Sequence, residues 1–403
     1  MLEVQGKYNT AKIFTDVIEP KAMSQIMMLL SQEFAAESRI RFMPDVSAGS
    51  GCTVGTTMTI HGKIVPNLVG VDIGCGMDCV TLGNQEIDLE KLDRAIREKI
   101  PSGFRNRSRI HHNYYNCKLD KLRCIDHINV ERAEKGLGTL GGGNHFIEVD
   151  RDDNGLLYLV VHTGSRHLGL EVAKHYQREG YRALNHSSDF DKQKLIEQFK
   201  REGKGKGKAV QKALKSLENT KRTPIPKEMA YVEGKLFDDY IHDMQIVQEY
   251  ARWNRFTIVE EILNAMDLMA MTSFTTLHNY IDTKSMILRK GAVSAKIGED
   301  VLIPINMRDG SLICTGKGNE DWNESAPHGA GRLMNRSTAK AMFTVEEFQE
   351  QMEGIYTTSV SQSTLDECPM AYKPMEDIVK NIADTVHIKK IINPIYNFKA
   401  GGE

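Results

Sequence analysis

The amino-acid sequence predicts a single α+β domain, and three observations support that prediction. Glycine-rich stretches with short Val, Ile and Thr runs, typical of strands joined by tight turns, occupy residues 42–83 and 136–149. Apolar residues recur at three- and four-residue spacing over residues 228–269, which predicts a helix. No proline-rich linker and no internal repeat divides the sequence, so residues 1–403 are expected to form one domain.

The other predicted elements follow in chain order. A turn over residues 152–155 separates the second glycine-rich stretch from the apolar run 156–161, which predicts a strand that ends at His162. A further strand-rich part is expected over residues 286–314. Residues 345–387 combine helical periodicity with a turn at CPMAYKP.

Composition and charge narrow the class of protein. The chain has 40% hydrophobic and 26% charged residues, which is typical of a globular protein with a sizeable core. Its formal net charge of −2 indicates no nucleic-acid partner by itself. No run reaches the roughly 18 apolar residues of a membrane span, and the N-terminus lacks a signal-peptide core, so we expect a cytoplasmic protein without membrane attachment. Seven irregularly spaced cysteines do not predict a disulfide framework.

Two basic segments each allow two interpretations. The lysine-rich segment 199–227 is typical of a solvated insertion or mobile loop, and an RNA backbone contact is the alternative. Arg105, Arg107 and Arg109 precede the HHNYY motif, and arginines beside aromatics suit RNA contact and base stacking. An ordinary charged loop explains residues 105–115 equally well.

Five potential metal ligands lie in glycine-rich or strand-end settings. Asp72 and Cys75 are three residues apart in GVDIGCGM, where a tight turn can direct both side chains at one point. The complete set is Asp72, Cys75, His145, His162 and His278. One ion does not need five ligands, whereas a bridging thiolate would allow two ions, an arrangement common in phosphoryl chemistry. Ordinary packing of a buried cysteine is the alternative.

Clustered backbone N–H groups in GTLGGGN and HGAGR can bind phosphate oxygens. His328 lies in SAPHGAGR, and Arg166 and Arg332 each follow a candidate histidine. The CTGKGN motif lacks the spacing of a Walker phosphate loop, so that interpretation is rejected.

The motifs GVDIGCGM, GGGNHFIEV, VHTGSR, HNYI, TGKGN and SAPHGAGR occur here in the order that they have in RtcB-type RNA ligases. The segment EGKLFDDYIHDMQIVQEYARWNR and the tail motif DECPMAYKPMEDI are also similar to that family. The resemblance extends from about residue 40 to the C-terminus. It implies an RNA ligase with one composite metal and nucleotide site, which acts on RNA as a monomer.

The resemblance also implies residue roles. One manganese ion would be held by Asp72, Cys75 and His145, and a second would share Cys75 and add His162 and His278. His328 would be the histidine that becomes guanylylated. The implied GTP or GMP contacts are Asn144, Phe146, Glu148, His278, Asn306, Ser311, His328, Gly329, Ala330, Gly331, Tyr372 and Lys399. Arg166 and Arg332 would contact RNA phosphate.

The implied reaction depends on GTP and two manganese ions. The neutral imidazole of His328 attacks the α-phosphorus of GTP, and pyrophosphate leaves. An RNA 3′-phosphate, which can arise from a 2′,3′-cyclic phosphate, then accepts the GMP. A 5′-hydroxyl RNA end then attacks the RNA(3′)pp(5′)G end, and GMP leaves. Glu148 would accept hydrogen bonds from guanine, which gives a preference for GTP over ATP.

Three departures from the family pattern indicate a divergent, bacterial-type subgroup. Ser47 replaces a histidine that many members carry, and Asn306 and Arg308 stand where a serine and a glycine are usual. The tail AGGE follows Lys399, where many members end on a glycine directly after the lysine. RNA repair and tRNA splicing both remain compatible with the sequence.

Two other functions use the same residues. A dinuclear phosphoesterase would activate water with the five ligands and would not need His328. An RNA-binding protein with a structural metal would bind RNA ends without turning over GTP, although structural sites usually close with about four ligands.

Overall fold

The computed structural model describes residues 1–201 and 225–401. Most of the lysine-rich segment predicted as an insertion, residues 202–224, lies outside the described residues. Within the described residues, no helix is both long and apolar enough to cross a membrane.

The described part of the chain contains helices and strands throughout, which confirms the predicted α+β class. The strands are β1 (Leu2–Gln5), β2 (Thr10–Ile13), β3 (Ile40–Ser47), β4 (Val54–Thr59), β5 (Lys63–Ile64), β6 (Gly76–Gly83), β7 (Phe146–Arg151), β8 (Leu157–Thr163), β9 (Val232–Glu233), β10 (Thr272–Leu277), β11 (Asn279–Asp282), β12 (Ile287–Lys290), β13 (Ala292–Ser294), β14 (Asp300–Asn306), β15 (Gly310–Gly316), β16 (Ser325–Pro327) and β17 (Val386–Lys399). The helices are α1 (Pro20–Leu30), α2 (Pro66–Val69), α3 (Leu89–Lys99), α4 (Val130–Gly136), α5 (Arg166–Arg201), α6 (Lys235–Met266), α7 (Arg336–Met342), α8 (Val345–Gln351) and α9 (Met375–Ile382).

An antiparallel seven-stranded sheet in the order β10-β6-β8-β7-β17-β15-β14 organises the molecule. Its edge strands β10 and β14 approach each other, so the sheet curls into a near-barrel. A second sheet has the order β1-β2-β3-β4-β12-β11. The side-chain alternation of strands gives the near-barrel an outer face and an enclosed face.

Strand β7 shows how that alternation divides the core. Ile147 and Val149 pack on the outer face against α3 and α6, through residues such as Ile96 and Ile258. Phe146 packs on the enclosed face with Tyr158 and its neighbours. Glu148 and Asp150 have the parity of Phe146, so they share the enclosed face.

The helix predicted over residues 228–269 is present but shorter, because α6 begins at Lys235. Gly234 has φ of 57°, a left-handed conformation that glycine adopts at little cost and that ends the preceding extended chain. Met229 and Val232, assigned to the helix by spacing, lie in a 3₁₀ turn and in β9. Both residues are buried nonetheless, so the apolar pattern predicted their burial correctly but their helical conformation wrongly.

Candidate active site

The five predicted metal ligands meet at one edge of the near-barrel. Strands β6 and β7 begin at this edge and their antiparallel neighbours β8 and β10 end there. Asp72 and Cys75 lie in the loop before β6, and His145 directly precedes β7. His162 is the penultimate residue of β8, and His278 follows β10. Residues that are far apart in the sequence therefore lie close together, because the ends of their strands meet at this edge.

The five side chains form two groups that share one thiol. The potential ligand atoms of Asp72, Cys75 and His145 all lie within 4.8 Å of one another, as do those of Cys75, His162 and His278. The Cys75 Sγ is 3.5 Å from His145 Nε2 and 3.4 Å from His162 Nε2. These are the two sets predicted from the sequence, including the shared cysteine.

Surrounding groups orient the ligand atoms. The Nδ1–H of His145 donates to the Leu140 carbonyl at 2.9 Å, and that of His162 donates to the Asn144 carbonyl at 3.1 Å. Each Nε2 therefore directs its lone pair into the cluster, as a metal-binding histidine requires. The backbone N–H of Ser165 donates to Asp72 Oδ1 at 2.9 Å, which leaves Oδ2 beside His145.

The protonation states of this cluster suit a cation. Burial lowers the pKa of His162 and His278 well below its usual value, so both imidazoles are neutral. Burial and the Asp72 carboxylate raise the pKa of the Cys75 thiol well above its usual range. A bound divalent ion reverses that tendency, because a coordinating thiol is deprotonated. One carboxylate, one thiol and three imidazoles fit borderline ions such as manganese or zinc.

His328 lies just after β16 and is fixed by a residue that the sequence analysis missed. Its ring Nδ1 is 2.6 Å from Oδ2 of Asp45, and its backbone N–H donates to the same oxygen at 3.0 Å. Asp45 is fully buried in β3. Because Nδ1 carries the donated proton, Nε2 keeps its lone pair. The ring centroids of His328 and His278 are 5.0 Å apart, so His328 lies next to the cluster of five potential metal ligands.

The glycine loop after His328 requires glycine at Gly331. Its φ is 74°, and a Cβ there would lie 2.7 Å from the Asp45 carbonyl oxygen. Gly329 and Ala330 complete this loop, which is predicted to contact phosphate. Only glycine lets the chain pass so close to β3, the strand that contains Asp45.

Several predicted nucleotide contacts line up across β7 and β17. Phe146 lies opposite Lys399 in the register, and Glu148 lies opposite Asn397. Asn397 Nδ2 donates to Glu148 Oε2 at 2.5 Å, and the Lys399 Nζ lies 5.6 Å from the Phe146 ring centroid. Burial raises the pKa of Glu148 to about 7. Phe146, Glu148 and Lys399, each predicted to contact the nucleotide, therefore lie close together.

Glu367 is a second residue that sequence reasoning missed. Its buried carboxylate pairs with Lys399 at 2.8 Å, Arg336 at 2.5 Å and Arg332 at 3.4 Å, and it accepts a hydrogen bond from Tyr372. Burial alone would raise its pKa, but the three cations outweigh burial and hold the pKa at about 2. The two adjacent acidic residues at the start of the DECPMAYKP motif are the sequence feature that could have pointed to Glu367.

Two further predicted nucleotide residues lie on β14 and β15. The Ser311 Oγ is buried and has no hydrogen-bond partner among the described residues. The Asn306 side chain donates to Asp309 at 2.8 Å within the β14–β15 turn. At this departure from the family pattern, Arg308 also pairs with Asp309 and donates to Gln351 at the end of α8.

A cavity of about 590 Å³ opens beside Asp72 and His145. Its lining includes Asn144 and the cationic side chains of Arg132, Arg166, Arg336 and Lys340. Arg166, predicted to contact RNA phosphate, lines this cavity. Arg332, given the same role, does not, and instead lies beside Glu367 and Tyr372.

The basic stretch before HHNYY was predicted to be either an RNA contact or an ordinary charged loop, and the structure supports each interpretation for different residues. Arg107 donates to the carbonyls of Leu137 and Gly138, which is a structural role. Phe104 and Asn106 line the cavity, and the Phe104 side chain is 69% exposed. Only part of this stretch therefore remains available for a ligand.

Comparison with known proteins agrees with this geometry. The family model described as tRNA-splicing ligase RtcB matches residues 27–400. The RNA-splicing ligase RtcB of Escherichia coli strain K12 is 29% identical, over 92% of this chain and 92% of that protein. The tRNA-splicing ligases RtcB of Archaeoglobus fulgidus and Methanococcus maripaludis are 26% and 25% identical, over 86% and 89% of this chain and 83% and 86% of theirs. With a family match over nearly the whole chain and a site built from the same motifs, this chain belongs to the RtcB ligase family.

Proposed function

We propose that this RtcB-family enzyme joins an RNA 3′-phosphate or 2′,3′-cyclic phosphate end to a 5′-hydroxyl end, with GTP and manganese, through a His328–GMP intermediate. The observation that carries the proposal is the hydrogen bond from His328 Nδ1 to Asp45. In the neutral imidazole, this bond selects the tautomer with the proton on Nδ1 and the lone pair on Nε2, next to a cluster suited to two cations.

The chain's own residues account for nucleotide transfer. Nε2 of His328 forms a bond to the α-phosphorus of GTP, and the bond to the leaving pyrophosphate breaks. Asp45 stabilises the positive charge that develops on the imidazole. Two divalent ions held by the five ligands would neutralise charge on the phosphate oxygens.

A 2′,3′-cyclic phosphate end must first be opened by water, which breaks the bond from phosphorus to the 2′-oxygen and leaves a 3′-phosphate. From the 3′-phosphate, sealing requires two further displacements. An oxygen of the RNA 3′-phosphate attacks the phosphorus of the His328-bound GMP, and the bond to Nε2 breaks. The 5′-hydroxyl oxygen of the second RNA end then attacks the RNA phosphate, loses its proton, and displaces GMP. The cationic cavity beside Asp72 is a suitable site for the RNA end, because Arg166 and Arg336 can contact its phosphates.

The test is transfer of labelled GMP from α-labelled GTP to the protein, with and without manganese. The His328→Ala variant should take up no label, because the nucleophile is gone. The His387→Ala variant is the control, since His387 is an exposed histidine on β17 outside the site. Label that persists in His328→Ala would contradict the proposal.

The phosphoesterase alternative makes the opposite prediction. Hydrolysis of a phosphodiester would survive His328→Ala and would need no GTP. An absence of label in the wild-type protein, together with such hydrolysis in both proteins, would favour that alternative.

A further inference from the structure

Three buried polar side chains lie together on the enclosed face of the near-barrel, and one of them is a predicted nucleotide contact. Glu148, Asp150 and Asn397 are 2%, 0% and 1% exposed. Glu148 and Asp150 are two residues apart on β7, and Asn397 faces Glu148 across the β7–β17 ladder. The surrounding side chains on this face are apolar, among them Phe146 and Val160.

Asp150 lies in this cluster without compensation. Neither of its carboxyl oxygens accepts a hydrogen bond from a donor among the described residues, and the Asn397 Oδ1 also accepts none. The nearby cations are already paired, since Lys399 binds Glu367 at 2.8 Å and Lys390 binds Asp152 at 2.8 Å. The Cys79 thiol of β6 also faces this region and is neutral, because burial raises its pKa well above the usual range.

A buried carboxylate with no partner is too costly to persist, so it binds a proton. Burial and the neighbouring Glu148 both raise the pKa of Asp150 well above its usual value. Burial raises the pKa of Glu148 to about 7, while hydrogen bonds from Asp150 and Asn397 act against burial and keep the pKa of Glu148 from rising further. One proton shared unequally between the two carboxyl groups therefore resides on Asp150.

We propose that Asp150 is a positioning residue: a protonated carboxylic acid that donates to Glu148 and keeps Glu148 ionised and oriented towards the base of the nucleotide. The inference rests on the proposed function, because it assigns to Glu148 the reading of guanine. An ionised Glu148 accepts from the N1–H and 2-amino groups of guanine, which adenine does not offer in that arrangement. Asp150 thus contributes to the preference for GTP over ATP without touching either nucleotide.

The proton on Asp150 is tested by infrared difference spectroscopy at pH 8, where Glu148, with a pKa of about 7, is ionised. The wild-type protein should show a protonated carboxyl C=O band that disappears in Asp150→Asn. Asp152→Asn is the matched control, because Asp152 is ionised through its pairing with Lys390 and Tyr158. The Asp152→Asn variant should leave the carboxyl C=O band in place. A band that Asp150→Asn does not remove would overturn the proposal.

The positioning role is tested by the ratio of GMP to AMP transferred to the protein. Asp150→Asn keeps a donor, so its ratio should stay close to that of wild type. Asp150→Leu removes the donor, so the ratio should fall about tenfold and GMP transfer should require higher pH, in keeping with the cost of one lost hydrogen bond to a charged group. An unchanged ratio and pH profile in Asp150→Leu would overturn the role.

The infrared experiment and the nucleotide-transfer experiment together distinguish a failure of this inference from a failure of the proposed function. If wild type takes up no GMP, the proposed function fails, and the spectrum still decides whether Asp150 is protonated. If Asp150→Leu does not fold, the spectrum and the Asp150→Asn ratio decide, because that amide retains the donor and should leave nucleotide choice unchanged.

Discussion

Asp45 and His328 are joined twice, because one carboxylate oxygen accepts from both the ring Nδ1 at 2.6 Å and the backbone N–H at 3.0 Å. The two residues are separated by 283 positions in the chain. The double contact orients the ring, so the Nε2 atom that is proposed to act as the nucleophile has its direction set before any nucleotide binds.

Replacement of that carboxylate should cost nucleotide transfer more than stability. An Asp45→Asn amide can donate to Nδ1, which favours the tautomer with the proton on Nε2 and removes the nucleophilic lone pair. We expect single-turnover transfer of GMP to fall about a hundredfold or more. Circular dichroism and the melting temperature should stay near those of wild type. Transfer at the wild-type rate would show that Asp45 does not set the tautomer.

Cys75 should matter to both metal-type groups because it belongs to each. Cys75→Ser should lower the manganese content at both positions, whereas His145→Ala should lower it at one. Elemental analysis after gel filtration measures this directly. Cys79→Ala serves as control, since Cys79 is another buried cysteine of β6 that belongs to neither group. Equal metal loss in the control would mean that the fold, rather than the thiol, was affected.

Phe104 offers an exposed ring at the basic cavity, and base stacking on such rings is worth about 1–3 kcal/mol. Phe104→Ala should therefore raise the KM for RNA about tenfold while self-guanylylation is unchanged. Tyr115→Ala provides the comparison, because the Tyr115 side chain is 79% exposed in the same segment but does not line the cavity. If both variants lowered ligation equally, stacking at the cavity would not be the cause.

The buried pairings of Glu367 predict a defined acid sensitivity. Its folded-state pKa is about 2, below the usual 4.5, so its contribution to folding is present above about pH 4.5 and is lost as the pH falls towards 2. The shift corresponds to about 3 kcal/mol, at roughly 1.4 kcal/mol per pKa unit.

Denaturant titrations between pH 7 and pH 2 measure that contribution. Glu367→Gln should be less stable than wild type at pH 7 by about this amount, and its stability should fall less steeply on acidification. Glu353→Gln, at an exposed glutamate, should follow the wild-type curve. A wild-type slope in Glu367→Gln would refute the assignment.

The five candidate ligands could be singled out because each has its own local pattern, a glycine turn or a strand end, whereas their division into two groups came from the resemblance to RtcB ligases. The convergence itself was not contained in the local pattern. It depends on which strands are neighbours, and β6, β7, β8 and β10 come together from positions nearly 200 residues apart.

Asp45 and Glu367 show why the other residues of the candidate site could not be predicted from the sequence. Both are buried acids whose partners lie far away in sequence, His328 for one and Lys399 for the other. Spacing arguments detect residues that act with near neighbours or through a repeated local pattern. A carboxylate that only completes the environment of a distant histidine or lysine has no such pattern.

Strand β17 follows every other described strand in the chain, yet it lies between β7 and β15 in the sheet. A polypeptide still on the ribosome would carry all five metal-type ligands and His328 before Asn397 and Lys399 had been synthesised. The barrel would then be open where the base of the nucleotide is proposed to bind. A chain interrupted before β17 would therefore contain His328 and Glu148 but would lack Asn397, which donates to Glu148, and Lys399.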